Sequence, residues 1–556
     1  RSSSPYAKLF ANLANSIQQH AQVWINVWNA DDTTTIKNFM SQRGTPLTNY
    51  RFFINPGNSF WYRDCGPVAF YYGEQDSIGF MDFEYYGGRP LDDQIAKRIG
   101  EQAGFRVFTN TIEYEGGNIL LDGVGSLFTS DAVYELNQDT YGLYYLDENT
   151  PYGFNMQSKT PLSNQQVRDS LMHLLNLSRC VVLPALKYDG GTGHIDLYCD
   201  MWDENSFVST KHPESMANLS DPKRVESNMD SLCNLETIFG SKYFNTRIPL
   251  PAKNNGSWYT SQSDYNKNYT RSYSNHTFVN DAIMQPVFYN ESLSGTAAGD
   301  ITGNKEALKI MSQRYPGYEF CEIDVREFDG FGGAIHCITK QIPAENPVRI
   351  YHDPIRWWNT SNSGNAPTYR VIAQNRSGIE TASIYYRTSN QTEWQQLDLT
   401  ADEGNMFTGT INLPQTSRDT LQYYISATSN NGKTITKPMT APQGYYTTVF
   451  GSEVEGISEE SVYVSNPAIS ASEIEGIGQA YPNPASDMVQ IDFANELSGE
   501  ANFKLVNNKG QVLLNDKVSA SQNNLRIDVS KLKAGIYWLI FTSDNQSAAR
   551  KIVIAR

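Results

Sequence analysis

The sequence is short of cysteine, of positive charge and of long apolar runs, and each shortage removes a class of protein. Six cysteines (Cys65, Cys180, Cys199, Cys233, Cys321 and Cys337) are spread over 556 residues. None forms a C-x-x-C pair, which speaks against a structural zinc module, and they are too sparse for a disulfide scaffold. No apolar run approaches the ~20 residues that a helix needs to span a bilayer. Lys and Arg total 44 against 60 Asp and Glu, a formal net charge of −16. That balance argues against a nucleic-acid partner and suits a cationic substrate. The chain starts at Arg1 and shows no signal-peptide pattern, so a processed N terminus is expected. The 34 tyrosines, with abundant Asn, Ser and Thr, match the composition of extracellular proteins.

At this length more than one hydrophobic core is expected. Residues 1–346 alternate helical and strand patterns. Apolar spacing predicts helices near 7–19 and 33–42, and VWINV (23–27) and YRFFI (50–54) read as short strands. Further strand-and-turn units lie around VAFYYG, SIGFMDFEY, NILLDG, GSLFTS, CVVLPAL and AIMQPVFY, giving an α/β domain with mixed sheets. From Pro347 to 449, period-2 strands such as YRVIAQN, ASIYYRT and TLQYYISAT, with no helix between them, predict an immunoglobulin-like sandwich. Residues 450–478 read as a linker. Residues 479–556 (MVQIDF, NFKLVN, GIYWLIF, ARKIVIA) read as a second small β-sandwich. No strong sequence repeat is visible.

Four stretches of the α/β part combine reactive side chains with tight turns: FWYRDCGP (60–67), YEGGNILLDG (114–123), GGTGHIDLYCD (190–200) and FGGAIHCITKQ (331–341). Taken singly, each has a plain structural explanation. A carboxylate beside an arginine is commonly a surface or capping group, and a lone Cys in an apolar run is commonly a small core residue. Double glycines often mark turns alone. Strand geometry sharpens two stretches. If GHIDLY is extended, His194 and Asp196 point to one face, about 7 Å apart at the backbone, and can flank a small planar substrate. By the same rule His336 and Cys337 point to opposite faces, so His194 is the better acid–base partner for Cys337. Gly332 and Gly333 would then give the backbone room beside the thiol.

Together these stretches resemble the guanidine-modifying (pentein) superfamily, in the branch that holds agmatine deiminases and Porphyromonas-type peptidylarginine deiminases. WYRDCGP is similar to its W-x-R-D-x-G-P motif, EGGNILLDG to its E-G-G-x-x-x-x-D-G turn, and GHID to G-H-[IV]-D. GGAIHCITKQIP is similar to its nucleophile motif, and SNHTFVNDAIMQP (274–286) to the stretch around a substrate-binding Asn, here Asn275. The resemblance covers roughly 1–346 and implies an α/β propeller of five pseudo-symmetric modules around a polar pocket. The family's first strand has no counterpart ahead of the helix near 7–19, so an earlier segment is expected. The terminus AYPNPASD…GIYWLIF…KIVIAR resembles type IX secretion sorting domains of Bacteroidetes, which implies export through that machinery to the surface or medium.

The resemblance also assigns roles. Cys337 attacks the guanidinium carbon, Asp64 and Asp196 grip its nitrogens, and His194 protonates departing ammonia and then activates water. Trp61 walls the guanidinium plane, and Glu115 orients the histidine or caps the turn. No metal or organic cofactor is implied. Arg89, in YGGRPLDD (86–93), matches one of two arginines that bind the C-terminal carboxylate of substrates in the Porphyromonas-type enzyme, and Gly87 replaces the other. A weaker or altered preference for C-terminal arginine is therefore expected. The appended domains favour peptidylarginine as substrate. The motif wording keeps agmatine as the alternative, and an inactive surface adhesin is the non-enzymatic one.

Overall fold

A computed structural model describes residues 6–554, except 86–87, 139–142, 147–153, 158–159, 188–191, 268–270, 291–298, 329–332, 360–365, 390 and 413–419, and, nearer the C terminus, 452–471, 474–476, 482–484, 494–500, 508–511, 520–521, 523, 534 and 544–545. Three stretches from the sequence reading thus lose a glycine from view (Gly87, Gly190 with Gly191, and Gly332).

The α/β part repeats one unit. Val23–Val27 pairs in parallel with Tyr50–Ile54, and helix Ala30–Gln42 makes the crossover. Four three-stranded sheets follow. Their strands are Val68–Tyr72, Ser77–Glu84 and Arg106–Glu113; Leu120–Leu121, Ser126–Ser130 and Arg179–Leu183; Cys199–Asp203, Ser206–Lys211 and Phe244–Pro249; and Thr277–Val279, Ala282–Val287 and Glu319–Asp324. In every sheet the first two strands are antiparallel and the third runs parallel to the second. A parallel return needs a long crossover. Each one contains a helix: Ile95–Ala103, Asn164–Leu174, Ser220–Cys233 and Ile301–Arg314.

The mixed sheets expected from the sequence are present, and the repeat is one of topology. Apolar strands constrain which face is hydrophobic but not which residue supplies it, so the sequence carries no matching repeat. The N-terminal helix, Ala7–Ile17, buries Leu9 and Leu13 in the core of the last sheet beside Ile283, Met311 and Ile323. The segments that enter the first strands of the four sheets, and the turn after the last sheet, are the stretches singled out for chemistry.

Residues 349–450 form two sheets with one shared core, in which Tyr369 and Val371 of one meet Leu421, Tyr423 and Ile425 of the other. Trp358 packs against this core. Apart from 359–363, these residues and the α/β part make a single compact unit. Buried Glu204 pairs with Lys437 and accepts from the backbone N–H of His352, while Arg370 donates to the Phe239 carbonyl at 2.7 Å. A second unit holds 451–556 with 359–363. Its two sheets share a core that includes Val489, Ile491, Leu505, Leu539, Phe541 and Ile552. Most of the expected linker lies outside the described residues, but Ser472–Glu473 within it pairs with Gln546–Ser547.

Candidate active site

Most polar residues of the site sit on or beside tight turns. Asp64 lies in the one-turn helix Tyr62–Cys65, and Gly116–Asn118, Ile195–Leu197 and His336–Ile338 are single 3₁₀ turns. Two expectations are corrected here. GHID is not extended, because His194 caps a 3₁₀ turn that contains Asp196. HCI is not extended either, so His336 is not turned away from Cys337. Three residues per turn set neighbouring side chains about 120° apart rather than 180°, and both residues reach the same carboxylate. His336 Nδ1 lies 2.6 Å from Asp196 Oδ2, and the Cys337 thiol lies 3.5 Å from that oxygen.

Asp196 is the centre of the cluster and is fully buried. Burial raises its pKa, but the His336 hydrogen bond, with the charges of His194 and Arg63, wins and holds the carboxyl below its ordinary value. Its second oxygen, Oδ1, is buried with no hydrogen-bond partner among the described residues. An ionised carboxylate with one bare buried oxygen is costly unless a donor arrives. Burial and the Arg63 guanidinium push His336 down to about 4, so it is a neutral imidazole that donates Nδ1–H to Asp196.

His194 stands opposite. Its Nε2 lies 3.1 Å from Glu115 Oε2, and its Nδ1 lies 3.7 Å from Asp64 Oδ1. Burial alone would lower its pKa, but Asp64, Glu115 and Asp196 overrule it and push it up to about 10. Glu115, expected to orient the histidine or cap the turn, therefore contacts the histidine ring directly. Asp64 accepts from the backbone N–H of Gly117 at 3.0 Å, and burial pushes its pKa up to about 7 against the pull of His194. Gly117 is demanded by close approach. A Cβ there would lie 2.5 Å from His194 Nδ1, 2.9 Å from Asp64 Oδ1 and 3.1 Å from Asp196 Oδ2.

Asn275 joins the two halves. Its Nδ2 donates to Cys337 Sγ at 3.2 Å and to the Asp196 carbonyl at 3.1 Å, and its Oδ1 accepts from Ala334 N at 2.8 Å. Expected as a substrate ligand, it lies in contact with the Cys337 thiol. Trp61 and the Cys337 side chain both come within 3.1 Å of where a Gly333 side chain would begin. Burial and the charges of Asp196 and Asp64 raise the Cys337 thiol well above its ordinary value, opposed by the Asn275 hydrogen bond. Arg89 stands at the start of the short helix Pro90–Asp93, with Nη1 3.4 Å from Tyr85 Oη.

The sequence reading passed over the residues that lock the first and last stretches together. Arg63 Nε donates to the His336 carbonyl at 3.0 Å, Arg63 Nη2 donates to Gln341 Oε1 at 2.6 Å, and Lys340 Nζ donates to the Arg63 carbonyl at 2.9 Å. Their signal was present: each flanks a motif residue and is a polar group that must be satisfied once buried. Asp64, Glu115 and His194 each offer a ligand atom within 4.8 Å of the others, so the trio can also hold a cation. For a cluster of buried carboxylates with Asp196 Oδ1 left open, a planar guanidinium is a matching cation.

Comparison with known proteins fits this geometry. The profile of the Porphyromonas-type peptidyl-arginine deiminase family matches residues 2–343, and that of the secretion system C-terminal sorting domain matches 479–555. Two relatives named "Putative agmatine deiminase", from Mycoplasma capricolum and Latilactobacillus sakei, are 25% and 26% identical over 361 and 363 residues, in each case 61% of this chain and 88% of theirs. The solved agmatine deiminase of Enterococcus faecalis is 20% identical, with a TM-score of 0.47 over 61% of this chain and 88% of that one. The chain belongs to the Porphyromonas-type peptidyl-arginine deiminase family of guanidine-deiminating proteins and carries the C-terminal sorting domain of an exported, cell-surface protein.

Proposed function

We propose that the protein hydrolyses the guanidinium of peptidyl arginine to citrulline and ammonia. The observation that carries this reading is the open oxygen of buried, ionised Asp196 beside the Cys337 thiol. A guanidinium supplies the missing N–H donor, and its carbon then lies next to sulfur. Asp64 faces the same space and takes a second N–H edge, and the Trp61 ring closes one side.

The thiol is protonated in the free site, since carboxylates surround it. The arriving cation offsets those charges, so the thiol loses its proton to solvent and the thiolate forms with substrate bound. Attack on the guanidinium carbon gives a tetrahedral centre. His194, protonated at neutral pH, passes the Nδ1 proton to the departing ammonia and leaves an amidino-thioether on Cys337. Neutral His194 then takes a proton from water as it attacks, and the ureido product leaves with the sulfur restored as thiolate.

The five repeated units are taken to close into a propeller with the site at its centre. The sandwich at 349–450 is read as immunoglobulin-like, and export as type IX secretion of a Bacteroidetes enzyme. Peptidyl arginine is favoured over agmatine because an exported enzyme with an appended β-domain meets polypeptides. The names of the curated relatives favour agmatine. Rates on peptidyl arginine, free arginine and agmatine decide between them, and turnover of agmatine with inert arginyl peptides would reverse the order. Comparing peptides ending in Arg with their amidated forms tests Arg89. An undiminished strong preference for a C-terminal arginine would contradict the weakened carboxylate grip.

A further inference from the structure

A second cluster of ligand-type side chains lies away from the catalytic turns, where the start of the chain meets the last sheet. His20 follows the N-terminal helix. Asp281 sits in the turn of the hairpin between Thr277–Val279 and Ala282–Val287, and Glu319 and Cys321 lie two residues apart on the strand Glu319–Asp324. Period-two alternation puts the last two on one face of that strand. A ring nitrogen of His20, a Glu319 carboxylate oxygen and Cys321 Sγ all lie within 4.8 Å of one another.

The histidine is set as a metal-binding histidine is set. Its Nδ1 lies 2.8 Å from Asp281 Oδ1. An imidazole that donates Nδ1–H to that carboxylate keeps its lone pair on Nε2, as in carboxylate–histidine–metal arrangements. The His20 side chain is only 8% exposed, and Nε2 is buried without a hydrogen-bond partner. The Glu319 carboxylate, itself an acceptor, lies 3.7 Å from it, beyond hydrogen-bond range and close to the spacing of two ligands on one zinc ion. The Cys321 thiol donates toward Glu319 Oε1 at 3.9 Å, and a cation bound between the nitrogen, the carboxylate oxygen and the sulfur would serve all three.

We propose that His20, Glu319 and Cys321 form a site for a divalent transition metal of the zinc class, with Asp281 as the carboxylate that orients His20. The mixed nitrogen, sulfur and oxygen donors suit zinc and disfavour calcium or magnesium, which take oxygen. On binding, the Cys321 thiol loses its proton to solvent and sulfur takes the metal as thiolate. Water completes the coordination from the exposed side, where Asp281 and Glu319 are 56% and 67% exposed. The ion would tie the segment after the first helix to the last sheet and so stabilise the α/β part. It takes no part in deimination.

The test uses the full chain, stripped of metal by chelation and kept reduced with a non-chelating phosphine. Zinc binding is measured by calorimetry, and the melting temperature is read with and without zinc. The expected result is a zinc ion whose binding and melting shift persist in Cys337→Ala and are lost in both His20→Ala and Cys321→Ser. Asp281→Asn should weaken binding by about 10–100-fold. Comparing each variant with itself, plus and minus zinc, separates loss of the site from loss of basal stability. Cobalt gives a second readout: in Cys337→Ala it should show a thiolate-to-metal charge-transfer band that disappears on adding Cys321→Ser. No zinc binding, or binding and bands unchanged by His20→Ala and Cys321→Ser, would overturn the proposal.

Discussion

Replacing His336 by Phe separates three roles for the histidine next to the nucleophile. The ring fills most of the imidazole's space but cannot donate to Asp196 Oδ2, now bonded at 2.6 Å. A buried hydrogen bond to a charged group is worth about 1.5–3 kcal/mol. At about 1.4 kcal/mol per tenfold in rate, kcat/KM should fall by about 10–150-fold. The sign of the pH effect follows from the same bond. His336 helps hold the Asp196 carboxyl low against burial, so without it that pKa rises. Asp196 then adds a second ionisation beneath the acid limb that Asp64 sets at about 7, so that limb steepens, and His336→Asn, which restores an N–H donor, should recover part of both. The assay is ureido-product formation across pH. A bystander would leave rate and limb unchanged. A base for Cys337 would cost about 10²–10⁴-fold with no rescue by Asn. Either outcome refutes the positioning role.

Three further outcomes follow from the geometry. In the free enzyme Asp64 must be ionised and His194 protonated. With Asp64 raised to about 7 and His194 to about 10, kcat/KM should fall as pH drops through about 7 and as it rises through about 10; a flat profile from 5 to 11 would contradict this. Gly117→Ala places a methyl 2.5 Å from His194 Nδ1; a displacement of this kind costs about 10²-fold in kcat, and near-normal kcat would show the approach to be looser. Lys437→Met strands the buried Glu204 carboxylate; denaturant unfolding at pH 8 should show a loss of about 3–5 kcal/mol. That loss shrinks at lower pH, where Glu204, already raised by burial, takes up a proton, and an unchanged midpoint would show that the pair adds nothing.

Strands were legible wherever an apolar run met a turn. Val23–Val27 and Tyr50–Ile54 fall where the pattern put them. The site was legible as a set of residues but not as a geometry. Cys337, His194, Asp64, Asp196 and Glu115 do converge, yet His336 turns away from Cys337 only where the backbone is extended, and here it is a 3₁₀ turn. Single 3₁₀ turns leave no periodicity in three residues, so nothing local distinguishes HCI in a turn from HCI in a strand. Arg63 and Lys340 escaped for another reason: their partners are backbone carbonyls or side chains more than 270 residues away in sequence. Gly117 reads as a turn residue in the sequence, and its need for close approach becomes visible only once three side chains meet over it.

The central claim is that Cys337 becomes covalently bonded to the guanidinium carbon. The direct measurement is mass spectrometry of the full chain, quenched in acid during turnover of an arginyl peptide. The account predicts a mass gain equal to the substrate minus ammonia, located on Cys337 and missing in Cys337→Ala, which also forms no ureido product. Ureido product from Cys337→Ala, or an adduct on another residue, would contradict it.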